Sequence, residues 1–338
     1  MKKVVLGLFL FCGLALLLIA CGNDTHQQIV PPTASQFAFI REATGGSTVA
    51  NATSMHRLRQ QTRTTEMRRA RKTAMGAGIQ KLAADIGNGT DSVILMKNDG
   101  TGETIVANQA GWFYGVQVSA DAKKGVFSTE DSNGWIQLYF ADVSNPTNPV
   151  LTQLTNDAEN HWYPQLSADN SKIVFVNESG EEAQAGLIST SGGQETVIST
   201  PGMFVNGPTW TPDGKIVFEE DYDDKIAVMN ADGSNVRVIT NIDGVESDEF
   251  PNVSADGKTI VFDRNGDVYT VAMDGTNLKQ LTTDGSNWDP MFVGDKIIYI
   301  SYRDSATSYI GGEVYSMNLD GTSQKRLTNN AVDEYFIW

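Results

Sequence analysis

Apolar runs of about five residues, alternating with polar positions, recur along most of the chain. "PQLSADNSKIVF" begins at Pro164, "PTWTPDGKIVF" at Pro208 and "PNVSADGKTIVF" at Pro251. Strict alternation puts every second side chain on one face, which is the pattern of a half-buried β-strand. Asp-Gly, Asn-Gly and Ser-Ala-Asp steps separate the runs, and these favour the tight turns of antiparallel hairpins. A second element follows each of the first: "NADGSNVRVIT" at 230–240, "AMDGTNLKQLT" at 272–282 and "NLDGTSQKRLT" at 318–328. The whole unit returns after about forty residues. A diverged copy, "VQVSADAKKGVF", starts at Val116, and a shortened one, "PMFVGDKIIYI", at Pro290.

Four strands in each forty-residue unit predict one propeller blade per unit. Five complete units fall at 112–155, 161–200, 204–240, 247–283 and 286–328. Three segments are left over: "SQFAFIRE" at 35–42, "SVILMKNDGTGETIVAN" at 92–108 and "DEYFIW" at 333–338. The last matches a first strand, with Phe336 aligned on Phe292; "FAFI" matches a second strand, and 92–108 supplies a third and a fourth. The expected fold is therefore all-β: a six-bladed β-propeller over 36–338, four antiparallel strands per blade, the first blade closed by the N- and C-terminal strands. Closure removes exposed strand edges. Burial of Tyr335, Phe336 and Trp338 would contribute about 1.5–3 kcal/mol each, so loss of 333–338 is expected to destabilise the whole domain.

The run "SADGKTIVF" followed by "DVYTVAMDGTNLKQLT", with "TPDG" at 211–214, resembles the PD40 or TolB-like repeat of the WD40 type. The resemblance covers nearly all of the chain beyond its leader and implies the propeller fold. It implies no particular activity, because propellers host many unrelated ones.

The start of the chain breaks the pattern. "MKKVVLGLFLFCGLALLLIACG" sets two lysines before an apolar run and a small residue before cysteine, the layout of a signal peptide over 1–20. "LIAC" resembles the bacterial lipobox, which implies acylation of Cys21; residues 21–35 then read as a polar tether. Gly22, by resemblance to Gram-negative lipoproteins, implies sorting to the outer membrane, facing the periplasm. Cys12 and Cys21 are the only cysteines, so the processed chain is expected to have no disulfide and no thiolate metal site.

Charge divides the chain further. There are 25 basic and 41 acidic residues. Residues 42–90 interrupt the first blade as a long second-to-third turn, and from 51 to 90 eight basic residues face only Glu66 and Asp85. Arg57, Arg59, Arg63, Arg68, Arg69, Arg71 and Lys72 belong to this arm. Without it and the two leader lysines, 15 basic residues stand against 39 acidic ones, a balance of −24. Export and an acidic body both oppose nucleic-acid binding.

In a blade, first-to-second and third-to-fourth turns share one face of the disc. Second-to-third turns and inter-blade connections share the other. This second face collects Trp112, His161, Trp162, Asp248, Glu249, Trp288, Asp289, Asp333 and Glu334 around the expected mouth of the central channel. The basic arm emerges on the same face and could fold over it, since opposite charges attract within a Debye length of about 8 Å. The expected function is non-enzymatic: a lipid-anchored, monomeric scaffold that holds a basic envelope protein or peptide at an acidic, aromatic mouth. Alternatives are a carbohydrate or other small ligand stacked on the tryptophans, or a hydrolase or lyase using His161. No cofactor or metal is expected. There is no G-x-S-x-G elbow and no paired-histidine motif. "DRNGDVYTVAMD" from Asp263 has Val268 where a calcium loop needs glycine, and reads as a hairpin.

Overall fold

The computed structural model describes residues 36–42, 90–110, 113–119, 123–142, 144, 150–179, 182–220, 224–240, 247–304, 312–329 and 334–335. Cys21 with its leader and tether, the basic arm from Arg57 to Lys72, Trp112 and Asp333 lie outside these residues. Glu334 is described by its backbone only. Among the described residues no helix is long and apolar enough to cross a membrane.

Five four-stranded antiparallel sheets come from contiguous chain. Blade I holds β4 (Phe113–Val118), β5 (Lys124–Glu130), β6 (Ile136–Asp142) and β7 (Val150–Gln153). Blade II holds β8 (Asn160–Leu166), β9 (Lys172–Ser179), β10 (Glu182–Ser189) and β11 (Thr196–Val197). Blade III holds β12 (Val205–Trp210), β13 (Lys215–Glu220), β14 (Lys225–Asn230) and β15 (Arg237–Val238). Blade IV holds β16 (Asp248–Val253), β17 (Thr259–Arg264), β18 (Asp267–Ala272) and β19 (Lys279–Gln280). Blade V holds β20 (Asn287–Val293), β21 (Lys296–Ser301), β22 (Glu313–Asn318) and β23 (Lys325–Arg326). All five lie where the forty-residue period places them.

The remaining four-stranded sheet is composite. β1 (Gln36–Glu42), β2 (Thr90–Lys97) and β3 (Thr104–Ala110) come from the first third of the chain, and β24 (Glu334–Tyr335) from its end, in the order β24-β1-β2-β3. Ile40 pairs with Tyr335 and Arg41 with Glu334, antiparallel. Residues 36–42 and 334–335 thus share one sheet, with β24 in the first-strand place.

The core lies between sheets, because the second and third strands bury both faces. Val126, Leu138 and Phe140 of blade I pack on Ile173, Phe175 and Ile188 of blade II. Val217, Ile226 and Val228 of blade III meet Ile260, Phe262 and Val271 of blade IV. The composite sheet bridges the ends of the row: Ile94 and Met96 pack on Ile298, Ile300 and Val314 of blade V. On its other side, Ala38 packs on Phe113, Val116 and Phe127 of blade I.

Repeated polar residues have repeated jobs. In the five contiguous blades the fourth strand is short, so a backbone N–H near the start of the third strand lacks a ladder partner. A hydroxyl takes the vacant place: Leu138 N–H donates to Thr155 Oγ1 (2.9 Å), Ala185 to Ser199 Oγ (3.0 Å), Ile226 to Thr240 Oγ1 (2.9 Å), Val268 to Thr282 Oγ1 (2.8 Å) and Val314 to Thr328 Oγ1 (2.9 Å). This accounts for the "LT" and "IT" pairs that end the repeats, since a buried amide without a partner is costly. In the "DGS" and "DGT" turns, Asp232, Asp274 and Asp320 each accept the N–H and the hydroxyl of the residue two positions on. Gly233 follows at φ 80°, with the carbonyl of Ile198 so close that a Cβ would lie 1.8 Å from it. Only glycine fits there.

Candidate functional site

The first strands of the five contiguous blades are all bulged, between Phe113 and Val116, Trp162 and Gln165, Asn206 and Thr209, Glu249 and Asn252, and Trp288 and Met291. In four of them the bulge holds a residue just before proline. Proline disfavours the right-handed helical region for its predecessor, and Tyr163, Gly207, Phe250 and Asp289 sit in the left-handed region at φ 51°, 47°, 51° and 50°. The bulges re-aim side chains. Tyr163 of blade II reaches Phe250 of blade IV edge-on, centroids 6.1 Å apart, and a Cβ on Gly207 of the intervening blade would touch the Phe250 ring.

Three residues before each proline lies a slot facing the neighbouring blade. His161, Val205, Asp248 and Asn287 fill it, with Phe113 in the corresponding place of blade I, and all five are buried. Polar occupants are each locked in a local network. Asp248 accepts from Arg264 Nε (2.5 Å) and Nη2 (2.8 Å), and that guanidinium lies over the Tyr269 ring at 4.9 Å. Asn287 donates to Thr282 Oγ1 (3.1 Å) and to Asp284, and accepts from Arg303 (2.8 Å).

His161 has the richest surroundings. Its Nδ1 lies 3.1 Å from the carbonyl of Ile136, and its Nε2 lies 3.1 Å from Glu195 Oε2 and 3.9 Å from Asp157 Oδ1. Asn177, its partner across β8 and β9, donates from Nδ2 to Glu195 Oε1 (2.7 Å) and to Glu159 Oε2 (2.9 Å). Ser179 donates to Glu159 Oε1 (2.6 Å), and Gln137 donates to the carbonyls of Asp157 (3.0 Å) and Glu159 (3.2 Å). Burial opposes charge on the imidazole, but the hydrogen bond and charge of Glu195, with Asp157 behind it, raise its pKa above the usual value. The hydroxyl of Ser179 and the amide of Asn177 lower that of Glu159.

The structure brings the described members of the predicted set to one end of the first strands, but not as an open ring. His161 is sealed, and Asp248 is committed to Arg264. Trp162 is buried edge-on against Tyr114 (5.1 Å), its indole N–H donating to Glu178 Oε2 (3.0 Å). Trp288 is buried edge-on against Tyr302 (5.6 Å). The expected aromatic mouth is corrected here: these two indoles fill gaps between strands, where their large apolar surface gains most, and offer no open stacking face. Glu249 and Asp289 are half-buried; Glu249 accepts from Ser247 Oγ (2.7 Å), and the Asp289 N–H donates to Asp263 Oδ2 (3.3 Å). Sequence reasoning missed Asp157, Glu159, Asn177, Glu195 and Arg264. Asp157, four residues before His161, was readable from spacing; Glu195, far along the blade, carried no local signal.

The charge of the disc is written along its second strands. β5, β9, β13 and β21 begin with Lys124, Lys172, Lys215 and Lys296 beside the first-to-second turns. Towards the other face β5, β9 and β13 reach Glu130, Glu178 and Glu219 with Glu220, and β17 reaches Asp263. Asp131, Asp157, Glu159, Glu182, Glu249 and Asp289 extend this acidic face, while Arg264 and Arg303 there are paired with Asp248 and Asp284. Desolvation, with Asp131 next to it, pushes the Glu130 carboxyl above its ordinary pKa. A cavity of about 530 Å³ opens on the opposite face, between the turns of blades III and IV, lined by Asp213, Lys215, Arg237 and Asp256 among others.

Comparison with known proteins fits this architecture. The profile of the PD40 family, the TolB beta propeller domain, matches residues 80–267. The structure resembles TolB from Acinetobacter baumannii (TM-score 0.60, 18% identity, 72% of this chain and 61% of that one) and putative TolB from Agrobacterium tumefaciens (TM-score 0.59, 19% identity, 72% and 90%). Among curated sequences, the uncharacterized peptidase YuxL of Bacillus subtilis is 26% identical over 138 residues, 39% of this chain. The match spans only a fifth of YuxL's own length. With the profile covering more than half of its residues and its blades built from the same four-stranded unit, the chain belongs to the TolB beta propeller domain family.

Proposed function

We propose that this protein is a non-enzymatic, lipid-anchored β-propeller of the cell envelope that holds a basic protein or peptide segment against its acidic face. The observation that carries the reading is the polarity of the disc, clearest in β5, β9 and β13, which begin with lysine and carry carboxylates near their far ends. A rigid ring of short loops presents such a field at little ordering cost, and an acidic field speeds and selects a basic partner. The burial of His161 supports a binding role over hydrolysis, because a general base must reach its substrate. In this reading the composite sheet serves as a sixth blade, Cys21 carries the lipid, and the arm from Arg57 to Lys72 competes with the partner for the acidic face. The protein acts as a monomer on the periplasmic side of the outer membrane.

The test is binding of an oligo-arginine peptide as ionic strength rises. Joint replacement Glu130→Gln, Glu182→Gln and Glu220→Gln is expected to weaken binding about tenfold at low salt, as surface charges of about 0.2–1 kcal/mol each predict. Asp213→Asn with Asp256→Asn on the other face is expected to change it little. Equal losses from the two sets, or no binding at any salt concentration, would overturn the reading.

A further inference from the structure

His161, Asp157 and Glu195 offer one imidazole nitrogen and two carboxylate oxygens whose donor atoms all lie within 4.8 Å of one another. The tautomer follows from the far side of the ring. The Ile136 carbonyl can only accept, so Nδ1 carries the proton and donates to it at 3.1 Å. Nε2 then points its lone pair at Glu195 Oε2, 3.1 Å away. Two acceptors do not face each other at that distance without a proton or a metal cation between them.

Two observations favour the cation. A ring N–H held by a backbone carbonyl is the usual support of a metal-bound histidine. Asp157, Glu159 and Glu195 bring three negative charges, and one imidazolium would balance only one of them.

We propose that His161 Nε2, Asp157 and Glu195 form a three-ligand site for a divalent transition-metal ion, best matched by Zn²⁺. Zinc bonds of about 2.0–2.2 Å to nitrogen and oxygen set tetrahedral ligand atoms roughly 3.3 Å apart. The separations of 3.1 and 3.9 Å from Nε2 bracket that value. An imidazole ligand argues against calcium, which takes oxygen. Asp157 is 44% exposed and Glu195 23%, which gives the ion a way in. The site ties the connection between blades I and II to the first and outer strands of blade II, so occupancy stabilises the fold.

The experiment is calorimetric titration of the chelator-stripped full chain with Zn²⁺, alongside melting. One ion per chain is expected, with a rise in Tm. Asp157→Asn and Glu195→Gln are each expected to weaken binding about tenfold or more and to shrink the rise in Tm that Zn²⁺ brings over each variant's own metal-free Tm. His161→Asn should abolish binding, and the two surface-reaching variants keep the test decisive if that one misfolds. His26 and His56 are the other histidines, and His26→Gln with His56→Gln is expected to leave the site intact. Absence of a one-to-one site, its survival in Asp157→Asn and Glu195→Gln, or its loss in the His26/His56 variant would overturn the proposal.

Discussion

The two faces of the disc arise from the same repeats under different rules. On the first-to-second turn face most aspartates serve their own turns: Asp169 takes the hydroxyls of Ser167 and Ser171 and the N–H of Ser171, all within two residues, and Asp295, which accepts from Asn98, is an exception. On the other face carboxylates work at long range. Asp248 holds Arg264 across β16 and β17, and Glu195 reaches His161 from 34 residues away. Local bonding can be copied from blade to blade without regard to neighbours, so that face stays uniform. Long-range bonding depends on what distant parts of the same blade and its neighbour supply, so the same slot takes histidine, valine, aspartate, asparagine or phenylalanine.

The largest effect is expected from breaking a long-range pair. Arg264→Ala leaves Asp248 buried without its cation and should cost about 3–5 kcal/mol, read by urea unfolding. Arg264→Met with Asp248→Leu should recover most of that loss. On the turn face, Gly233→Ala forces both a left-handed alanine and an overlap with the Ile198 carbonyl, at a cost of at least about 2 kcal/mol. Gly214, at φ 82° with nothing within 4 Å, bears only the conformational part, so Gly214→Ala should cost about 1 kcal/mol or less. A loss between those two glycine effects is expected from the hydroxyl that closes each repeat. Thr240→Val keeps the shape but strands the Ile226 amide, for about 1–2 kcal/mol.

The smallest effect is a pH dependence of the turn face. Hydroxyl and backbone hydrogen bonds hold Asp169 down to about 2 from an ordinary 3.8, and Asp232, Asp274 and Asp320 below the same value. A depressed folded-state pKa adds stability above the unfolded value and loses it as pH falls through the folded one. Thermal melting is therefore expected to weaken from about pH 4 towards pH 2, and Asp169→Asn should flatten part of that slope.

This contrast also explains what the sequence revealed. Alternation, "DG" turns and the closing threonines are local, so blade boundaries and turns were legible; even the assignment of "FAFI" beside the final residues followed from counting. The candidate site was legible only as a location. Trp162 and Trp288 read as lining the mouth because position before a first strand says nothing about the gap a bulge opens beside it. The surroundings of His161 were hidden because Glu195 and Asn177 meet it only after blade II has folded.

Pairing of residues 40–41 with 334–335 has a consequence for assembly. Among the described strands β1 emerges first during synthesis and must wait for nearly three hundred residues before its first-strand neighbour exists. Until then the growing row of stacked blades has two open flanks, and a helper that shields them would act on this nascent arc rather than on the finished disc.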